Sequence, residues 1–516
     1  MDVAYLQAAI DSVCINKGGG TCGVAGGFGR LRGGRVCSDS RQVGSGDIFV
    51  AVRGVNVDGH DFIVEAIKRG ATVVVAERPV EVPEGVRLVQ VADSAQALGR
   101  LAQAAWGEPS AKLKVLGVTG TNGKTTVSYL TRAMLQAGRL GCGLIGTVEY
   151  DAGDGVLIKA DNTTPGPLRL AELMGRMQAN ALRAMVMECS SHGLDQKRTA
   201  GINFAAAAFT NLSGDHLDYH QTEQEYLKAK SKLFADLRAQ AVAVLNAQDK
   251  AGDYLAQVCA ARIWWYGIDS EAQISGHVLA KGLWGCEFEL RIFDERVRVR
   301  TSLIGEHNVN NALAAAGLAW AAGVSIEAIA EGVKNLTGVP GRLERISVEN
   351  VERGAKSVER KEEQKDGQVA VFVDYAHTDD ALDHALATVR DMSRGEVIVV
   401  FGCGGNRDQT KRPRMAKVAQ RWADYIVVTN DNPRKENPAE IIAQIRTGFT
   451  PAGRAKVTEI PDRREAIAYA ISQGSVGDVV LIAGKGHEDY QIVGEQKRYF
   501  DDREVVREIM NNKLKG

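Results

Sequence analysis

Short apolar runs recur along the chain, each bounded by glycine or polar clusters, and they alternate with stretches of helical periodicity. Asp47-Ile48-Phe49-Val50-Ala51-Val52 reads as a strand, and Thr72-Val73-Val74-Val75-Ala76 as a buried one. Between them, Glu65-Ala66-Ile67-Lys68-Arg69-Gly70 reads as a helix end closed by a glycine. Further strands are expected at Val115–Val118, Ala184–Met187, Ala241–Leu245, Val369–Val373, Val397–Phe401, Tyr425–Thr429 and Val479–Ile482. Strands that alternate with helices predict an α/β protein with mostly parallel sheets. Residues 312–330 read as one buried, Ala-rich helix.

Glycine and charge punctuate this pattern. Residues 17–35 hold nine glycines, too many φ-permissive positions to pack a core, and predict a mobile surface loop. Gly107-Glu108-Pro109-Ser110 reads as a linker, and the charged stretch 349–368 as an exposed hairpin or loop. The expected organisation is three α/β domains, at 1–110, 111–340 and 341–516. A length of 516 residues suits that number at about 100–200 residues per domain.

Lys and Arg total 63 against 64 Asp and Glu, a net charge of −1. Neutrality gives no electrostatic case for nucleic acid or an anionic membrane as partner. The start lacks a basic-then-apolar signal pattern, and no apolar stretch is long enough to span a bilayer. A cytoplasmic chain without membrane insertion is expected. The eight cysteines form no CxxC pair and read as free thiols in a reducing compartment.

Three segments carry candidate chemistry. Gly120-Thr121-Asn122-Gly123-Lys124-Thr125-Thr126 follows an apolar strand and precedes the helical pattern Tyr129, Leu130, Ala133, Met134. Backbone N–H groups and a helix N-terminus can cradle phosphates there, Lys124 can reach the terminal ones, and Thr125 can ligate Mg²⁺. The strict phosphate-loop pattern has glycine where this chain has Val118, so the motif is a variant. Second, Glu188 ends an apolar strand and suits a hard cation, or is a surface carboxylate at a turn. Residues 210–220 pack acids and imidazoles together, which fits either a transition-metal site or a polar loop. Third, Tyr226, Lys230, Leu233 and Leu237 share one helical face, which puts Lys230 on the apolar side and Lys228 and Lys232 elsewhere. A lone buried ammonium needs a partner, a snorkelling path or a change of chemistry.

The segment GTNGKTT resembles the ATP loop of the Mur ligases, ATP-dependent amide-forming enzymes of peptidoglycan assembly; folylpolyglutamate synthetases carry a similar loop. AKSKLF at 229–234 resembles the Mur segment whose carbamylated lysine sits beside a second Mg²⁺. The resemblance implies Lys124, Lys230, His216 and Arg342 as catalytic residues, and Thr125, Glu188, His216 and carbamylated Lys230 as metal ligands. ATP contacts are implied at Gly120 to Thr126, Asn308, Arg342, Asp374 and His377. Taken alone, Asn308 could be a helix N-cap and His377 a turn residue. Ser38, Ser40, Val55, Asn56, Val57, Asn162, Thr163, Thr164, Ser190, Gln196 and Arg198 match the family's contacts to a UDP-muramoyl peptide. Arg407, Asp431, Asn432, Pro433, Arg434, Gly484 and Glu488 match the amino-acid pocket of the subclass that adds meso-diaminopimelate. Arg434 can bind a distal carboxylate bidentately, and Glu488 can bind the distal ammonium.

The resemblance implies a UDP-binding N-terminal domain, a central phosphate-loop ATPase and a Rossmann-like C-terminal domain. It implies UDP-MurNAc-L-Ala-D-Glu, meso-diaminopimelate and ATP as substrates, Mg²⁺ as cofactor, an acyl-phosphate intermediate and a monomer. Closure of the C-terminal domain over the central one would exclude water. The alternatives are the lysine-adding homologue and a folylpolyglutamate synthetase-like ligase. A GTPase switch needs an NKxD motif; Asn16-Lys17 is followed by Gly18-Gly19, and the motif occurs nowhere else.

Overall fold

The central strands form where apolar residues run without interruption, and most of them are buried on both faces, as parallel sheets covered by helices require. The computed structural model describes residues 8–10, 12–14, 34–54, 57–213, 217–347 and 369–515. Two compact units result. The first is Met1–His277 with Leu290–Val297 and Asn310–Asn335; the second is Val278–Glu289, Arg298–Val309 and Leu336–Gly516.

The first unit contains a four-stranded parallel sheet in sequential order: β1 (Val36–Cys37), β2 (Ile48–Val50), β3 (Val73–Ala76) and β4 (Arg87–Gln90). The helix Ser94–Ala105, capped by Asp93, packs Leu98 and Leu101 into the core with Val50, Val75 and Val89. Gly99 lets this helix approach the 200 loop, because a Cβ there would lie 2.2 Å from the Ala200 carbonyl oxygen.

The larger sheet is built from β5 (Lys114–Thr119), β6 (Cys142–Ile145), β7 (Glu149–Asp151), β8 (Leu157–Lys159), β9 (Ala184–Glu188), β10 (Phe204–Phe209), β11 (Val242–Asn246), β12 (Arg262–Ile268), β13 (Ile274–Gly282), β14 (Gly285–Ile292) and β15 (Glu295–Thr301). Their order is β15-β14-β13-β12-β11-β10-β5-β9-β6-β7-β8, and residues of β13–β15 fall in both units. β5 lies between β9 and β10, parallel to both. From β5 the chain runs outward to β6, returns to β9, and later enters β10 on the opposite flank. That reversal opens a crevice at the C-terminal end of β5, where open α/β sheets hold ligands.

The second unit carries the sheet β16-β17-β21-β18-β19-β20. Its strands are β16 (Glu344–Ile346), β17 (Ala370–Asp374), β18 (Val397–Phe401), β19 (Tyr425–Val428), β20 (Val457–Glu459) and β21 (Val479–Ala483). All pair in parallel except β16 with β17. The hairpin β22 (Tyr490–Val493) and β23 (Gln496–Tyr499) follows.

Every strand expected from the apolar runs is present. Three readings are corrected. The expected linker at 107–110 leads directly into a short helix, Pro109–Lys112, whose Pro109 and Ser110 are buried. The single helix expected over 312–330 is two helices, Glu306–Ala321 and Ile326–Asn335, broken at Gly323 with φ of 88°. Six cysteines are free, but Cys14 is disulfide-bonded, so the eight thiols are not all free. Of the Gly-rich segment only Gly34 and Arg35 are described, and Gly34 is packed against Gly46. Most of that segment, and the charged stretch 349–368, lie outside the described residues. No helix among the described residues is long and apolar enough to cross a membrane.

Candidate active site

The phosphate loop joins β5 to the helix Lys124–Ala137, and two of its glycines have no substitute. Gly120 has φ of 145° and Gly123 has φ of 86°. A Cβ at Gly120 would lie 1.8 Å from Thr210 Oγ1, and one at Gly123 would lie 2.4 Å from Asn311 Oδ1. The loop is held by its neighbours. The Thr121 amide donates to the Asn211 carbonyl at 2.8 Å, the Asn122 amide to Asn211 Oδ1 at 2.9 Å, and the Thr210 hydroxyl to the Asn122 carbonyl at 2.6 Å. Lys124 Nζ donates to the carbonyls of Gly120 and Thr121 at 2.9 and 2.8 Å, so the ammonium stands over the loop that would receive phosphate. Thr125 and Thr126 are buried in the first helical turn.

Glu188 is not a surface carboxylate. It ends β9, one strand from the loop, and is 1% exposed. Its oxygens accept from the Thr147 amide at 2.9 Å, the Thr147 hydroxyl at 2.8 Å and the Thr125 hydroxyl at 3.1 Å. A Cβ on Gly146 would sit 2.4 Å from Glu188 Oε1, so this cradle requires glycine there. A carboxylate among hydroxyls is a hard oxygen donor set and fits Mg²⁺. Lys230 lies on the buried face of the helix Glu223–Ala235, as its spacing predicts, and is 1% exposed. Its Nζ donates to the Gly120 carbonyl at 2.8 Å and lies 4.1 Å from the centroid of the Tyr226 ring. Lys228 and Lys232 point elsewhere, toward Glu225 and Asp195. His216 lies outside the described residues, as do Val55 and Asn56.

Beside Glu188 stands a second polar cluster. Thr164 is fully buried; its hydroxyl donates to the Glu188 carbonyl at 2.8 Å and accepts from the Ser190 amide at 2.9 Å. Arg198 is half-buried, and donates to the Thr164 carbonyl at 2.8 Å and to Gln196 Oε1 at 2.8 and 3.1 Å. Thr163 meets Thr147 at 3.1 Å, and the Asn162 backbone brackets the Tyr150 hydroxyl. Ser38 is exposed after β1, Ser40 is buried in the turn Ser40–Gln42, and Val57 is exposed. Among the described residues no hydrogen bond or ion pair links those three to Thr164, Ser190, Gln196 or Arg198.

In the second unit, Asp374 ends β17 and fastens two segments, accepting from the Leu343 amide at 2.6 Å and the Ala376 amide at 2.8 Å. Burial pushes its carboxyl above the usual range, against the pull of Arg342. The Arg342 guanidinium lies 4.7 Å from the Tyr375 ring centroid, and His377 Nδ1 meets the Tyr375 carbonyl at 2.9 Å. Burial, then Glu488, pushes the Tyr375 hydroxyl up to about 12. Asn308 lies in the first turn of the helix Glu306–Ala321, so it is not its N-cap; its side chain donates to the Ile304 carbonyl.

The segments that follow β18, β19 and β21 converge at the C-terminal edge of this sheet. Arg434 has φ of 52°, and its Nη1 donates to the Gly405 carbonyl at 3.0 Å and the Asn432 carbonyl at 3.4 Å. Asn432 Nδ2 donates to Glu488 Oε2 at 3.0 Å. Arg407 is exposed on the same Gly404–Asp408 loop. Pro433 is buried, and a Cβ on Gly405 would clash with its carbonyl oxygen at 1.9 Å.

Some contributors escaped the sequence reading. Lys485 is fully buried, and its Nζ reaches Asn432 Oδ1 at 3.4 Å and Glu488 Oε2 at 3.5 Å. Arg412, also fully buried, pairs with Glu436 at 2.8 Å and holds the Gly404 carbonyl at 3.1 Å. Thr147 had no apolar or charge signal to mark it. Lys485 had one, since it sits between the two glycines of the same segment as Glu488.

Three family models match in chain order: the Mur ligase family catalytic domain over 35–106, the Mur ligase middle domain over 118–319, and the Mur ligase glutamate ligase domain over 358–486. The chain therefore belongs to the Mur ligase family, with its N-terminal, central and C-terminal domains. Within that family it is 44% identical over 476 residues to the UDP-N-acetylmuramoyl-L-alanyl-D-glutamate–2,6-diaminopimelate ligase of Geobacillus thermodenitrificans, covering 91% of this chain and 93% of that protein. The Geobacillus kaustophilus ligase of the same name matches with the same identity and coverage. A solved structure of a ligase of that name aligns with a TM-score of 0.67 and 32% identity, covering 93% of this chain and 95% of the other.

Proposed function

We propose that this chain joins meso-2,6-diaminopimelate to UDP-MurNAc-L-Ala-D-Glu with consumption of ATP, in cytoplasmic peptidoglycan precursor synthesis. It acts as a monomer, with domains at 1–110, 111–340 and 341–516. The reading is supported by the likeness to relatives of that name and, for the choice of amino acid, by one feature of the second unit. Asn432 joins a cation and an anion: its carbonyl accepts from Arg434 and its side-chain amide donates to Glu488. A guanidinium and a carboxylate held by one residue suit a distal carbon that bears both a carboxylate and an ammonium. Lysine has no distal carboxylate to offer Arg434.

The chemistry follows from the groups present. The side-chain carboxylate of the acceptor's D-Glu attacks the γ-phosphorus of ATP and ADP leaves, giving an acyl phosphate. The amine of diaminopimelate then attacks the acyl carbon, and the tetrahedral intermediate expels phosphate as the amine loses a proton. Lys124 and Arg342 offset charge on the transferring phosphoryl group. Gly120 to Thr126, Asn308, Asp374 and His377 bind ATP. Ser38, Ser40, Val55, Asn56, Val57, Asn162, Thr163, Thr164, Ser190, Gln196 and Arg198 bind the UDP-dipeptide. Arg407, Asp431 to Arg434, Gly484 and Glu488 bind the amino acid. Mg²⁺ would be held by Thr125, Glu188, His216 and carbamylated Lys230, and when bound it screens the phosphates.

Phosphate release from ATP with the UDP-dipeptide and either diaminopimelate or lysine tests this. Strong turnover with diaminopimelate and weak turnover with lysine is the expected result, and Arg434→Lys should erase much of the difference. Equal turnover of both amino acids would overturn the role of Arg434. Turnover on a folate, with none on the UDP-dipeptide, would replace the reading with a folate polyglutamylating one.

A further inference from the structure

We infer that Arg463 is a positioning residue for the amino-acid pocket: it suspends both pocket loops from one buried guanidinium without touching the amino acid. This rests on the reading that Asn432, Arg434 and Glu488 hold the incoming amino acid. Arg463 is the first residue of the helix Arg463–Gln473, whose N-cap is Asp462. A cation at a helix N-terminus opposes the helix dipole, so helix stability does not account for it. The side chain is also fully buried, which is costly unless every donor is used.

The donors are directed. Nε and Nη2 form a two-point pair with Asp502, at 2.8 and 2.7 Å, and Asp502 is buried as completely. Asp502 begins the helix Asp502–Lys515, where an acid is favourable. Nη2 also donates to the carbonyl of Ala483, the last residue of β21, at 3.0 Å. Nη1 reaches the carbonyl of Asn430, just beyond β19, at 3.5 Å. The next residues along the chain are Gly484 and Asp431, where the two pocket loops begin. One planar fork thus ties the roots of both loops to the C-terminal helix.

The space between the loops supports the same assignment. Gly484 has φ of 117°, and a Cβ there would lie 2.7 Å from Asp431 Oδ2 and 3.9 Å from Arg463 Nη2. Asp431 Oδ2 is buried and has no hydrogen-bond partner among the described residues. Attraction between Asp431 and Arg463 acts across this glycine. The 3.0 Å bond from Asn432 to Glu488 and the 3.4 Å bond from Lys485 to Asn432 both span the loops, so both depend on the roots staying together. A lysine keeps the charge but cannot make the fork.

The test uses the full chain and steady-state kinetics with each of the three substrates varied in turn. The variants are Arg463→Lys, Asp502→Asn and the double variant Arg463→Met/Asp502→Leu. The double variant exchanges the buried pair for apolar groups and so keeps the protein folded if a single charge left alone does not. The expected result is a rise in KM for diaminopimelate of about tenfold or more, with KM for ATP and for the UDP-dipeptide within about twofold of the parent. Arg463→Lys should lie between the parent and the double variant. A folded double variant with an unchanged diaminopimelate KM would overturn the inference, as would an equal rise in all three KM values. Failure of the underlying functional reading would show separately, as an unmodified chain that releases no phosphate with diaminopimelate.

Discussion

Lys230 shows how far a single residue can be read before its surroundings are known. Helical spacing places it on the buried face, and it is buried. Its acceptor, the Gly120 carbonyl, lies 110 residues away in the chain and has no local signature. As an ammonium it braces the phosphate loop; as a carbamate it would add an anion at that loop. Lys230→Ala should reduce turnover by about a thousandfold or more, in the range seen for loss of groups that act on transferring phosphoryl charge. Short-chain carboxylic acids should restore part of it by standing in for the carbamate. An alanine variant with full activity would remove Lys230 from the reaction, and an inactive one without rescue would leave it as a loop brace only. Glu188 was equally ambiguous, between a turn carboxylate and a ligand, until burial and the three donors around it decided its surroundings.

At the scale of elements, strand–loop–helix order was legible where an apolar run meets glycine and then a helical period, as at Val115 to Met134. The departures have local causes. Strands β7, β8, β22 and β23 are only three or four residues long, pair antiparallel and are not buried along their length, so no long apolar run marks them. The break at Gly323 was hidden because apolar residues recur on either side of it, Ala-rich before and Val324, Ile326 and Ile329 after. Helix packing against the phosphate loop was hidden as well. In the helix Ile326–Asn335, a Cβ on Gly332 would lie 2.4 Å from Met134 Cα, so the backbone of the phosphate-loop helix passes directly over it. Gly332→Val should therefore destabilise the fold by about 1–3 kcal/mol and raise KM for ATP, because overpacking must push that helix aside. Urea unfolding together with ATP titration would check both; a variant as stable as the parent would show that the interface yields freely.

For the whole molecule, burial of thiols creates a dependence on pH. Burial pushes Cys142, Cys189 and Cys403 up to about 12, and Cys37 and Cys286 up to about 11. In the unfolded chain these thiols ionise near pH 8.5. Above that pH the folded chain holds more protons than the unfolded one, so stability present at neutral pH declines until the folded thiols titrate. Urea midpoints measured between about pH 8 and 10 should fall steadily, and serine or alanine at Cys142 and Cys189 should flatten the slope. A midpoint that stayed level or rose over that range would show that these thiols ionise in place.

Periodicity and glycine placement were enough to assign the class of fold, nine of its strands and the buried side of Lys230, because these depend on neighbours within a few residues. The cradle of Thr147 and Thr125 around Glu188, the asparagine between Arg434 and Glu488, and the fork of Arg463 beneath both loops depend on which strand ends come to lie side by side. Sheet order, with its reversal around β5 and the insertion of β21 between β17 and β18, brings those groups together. A hydrogen bond between residues far apart in sequence leaves no trace in either segment alone, so only the folded chain could reveal them.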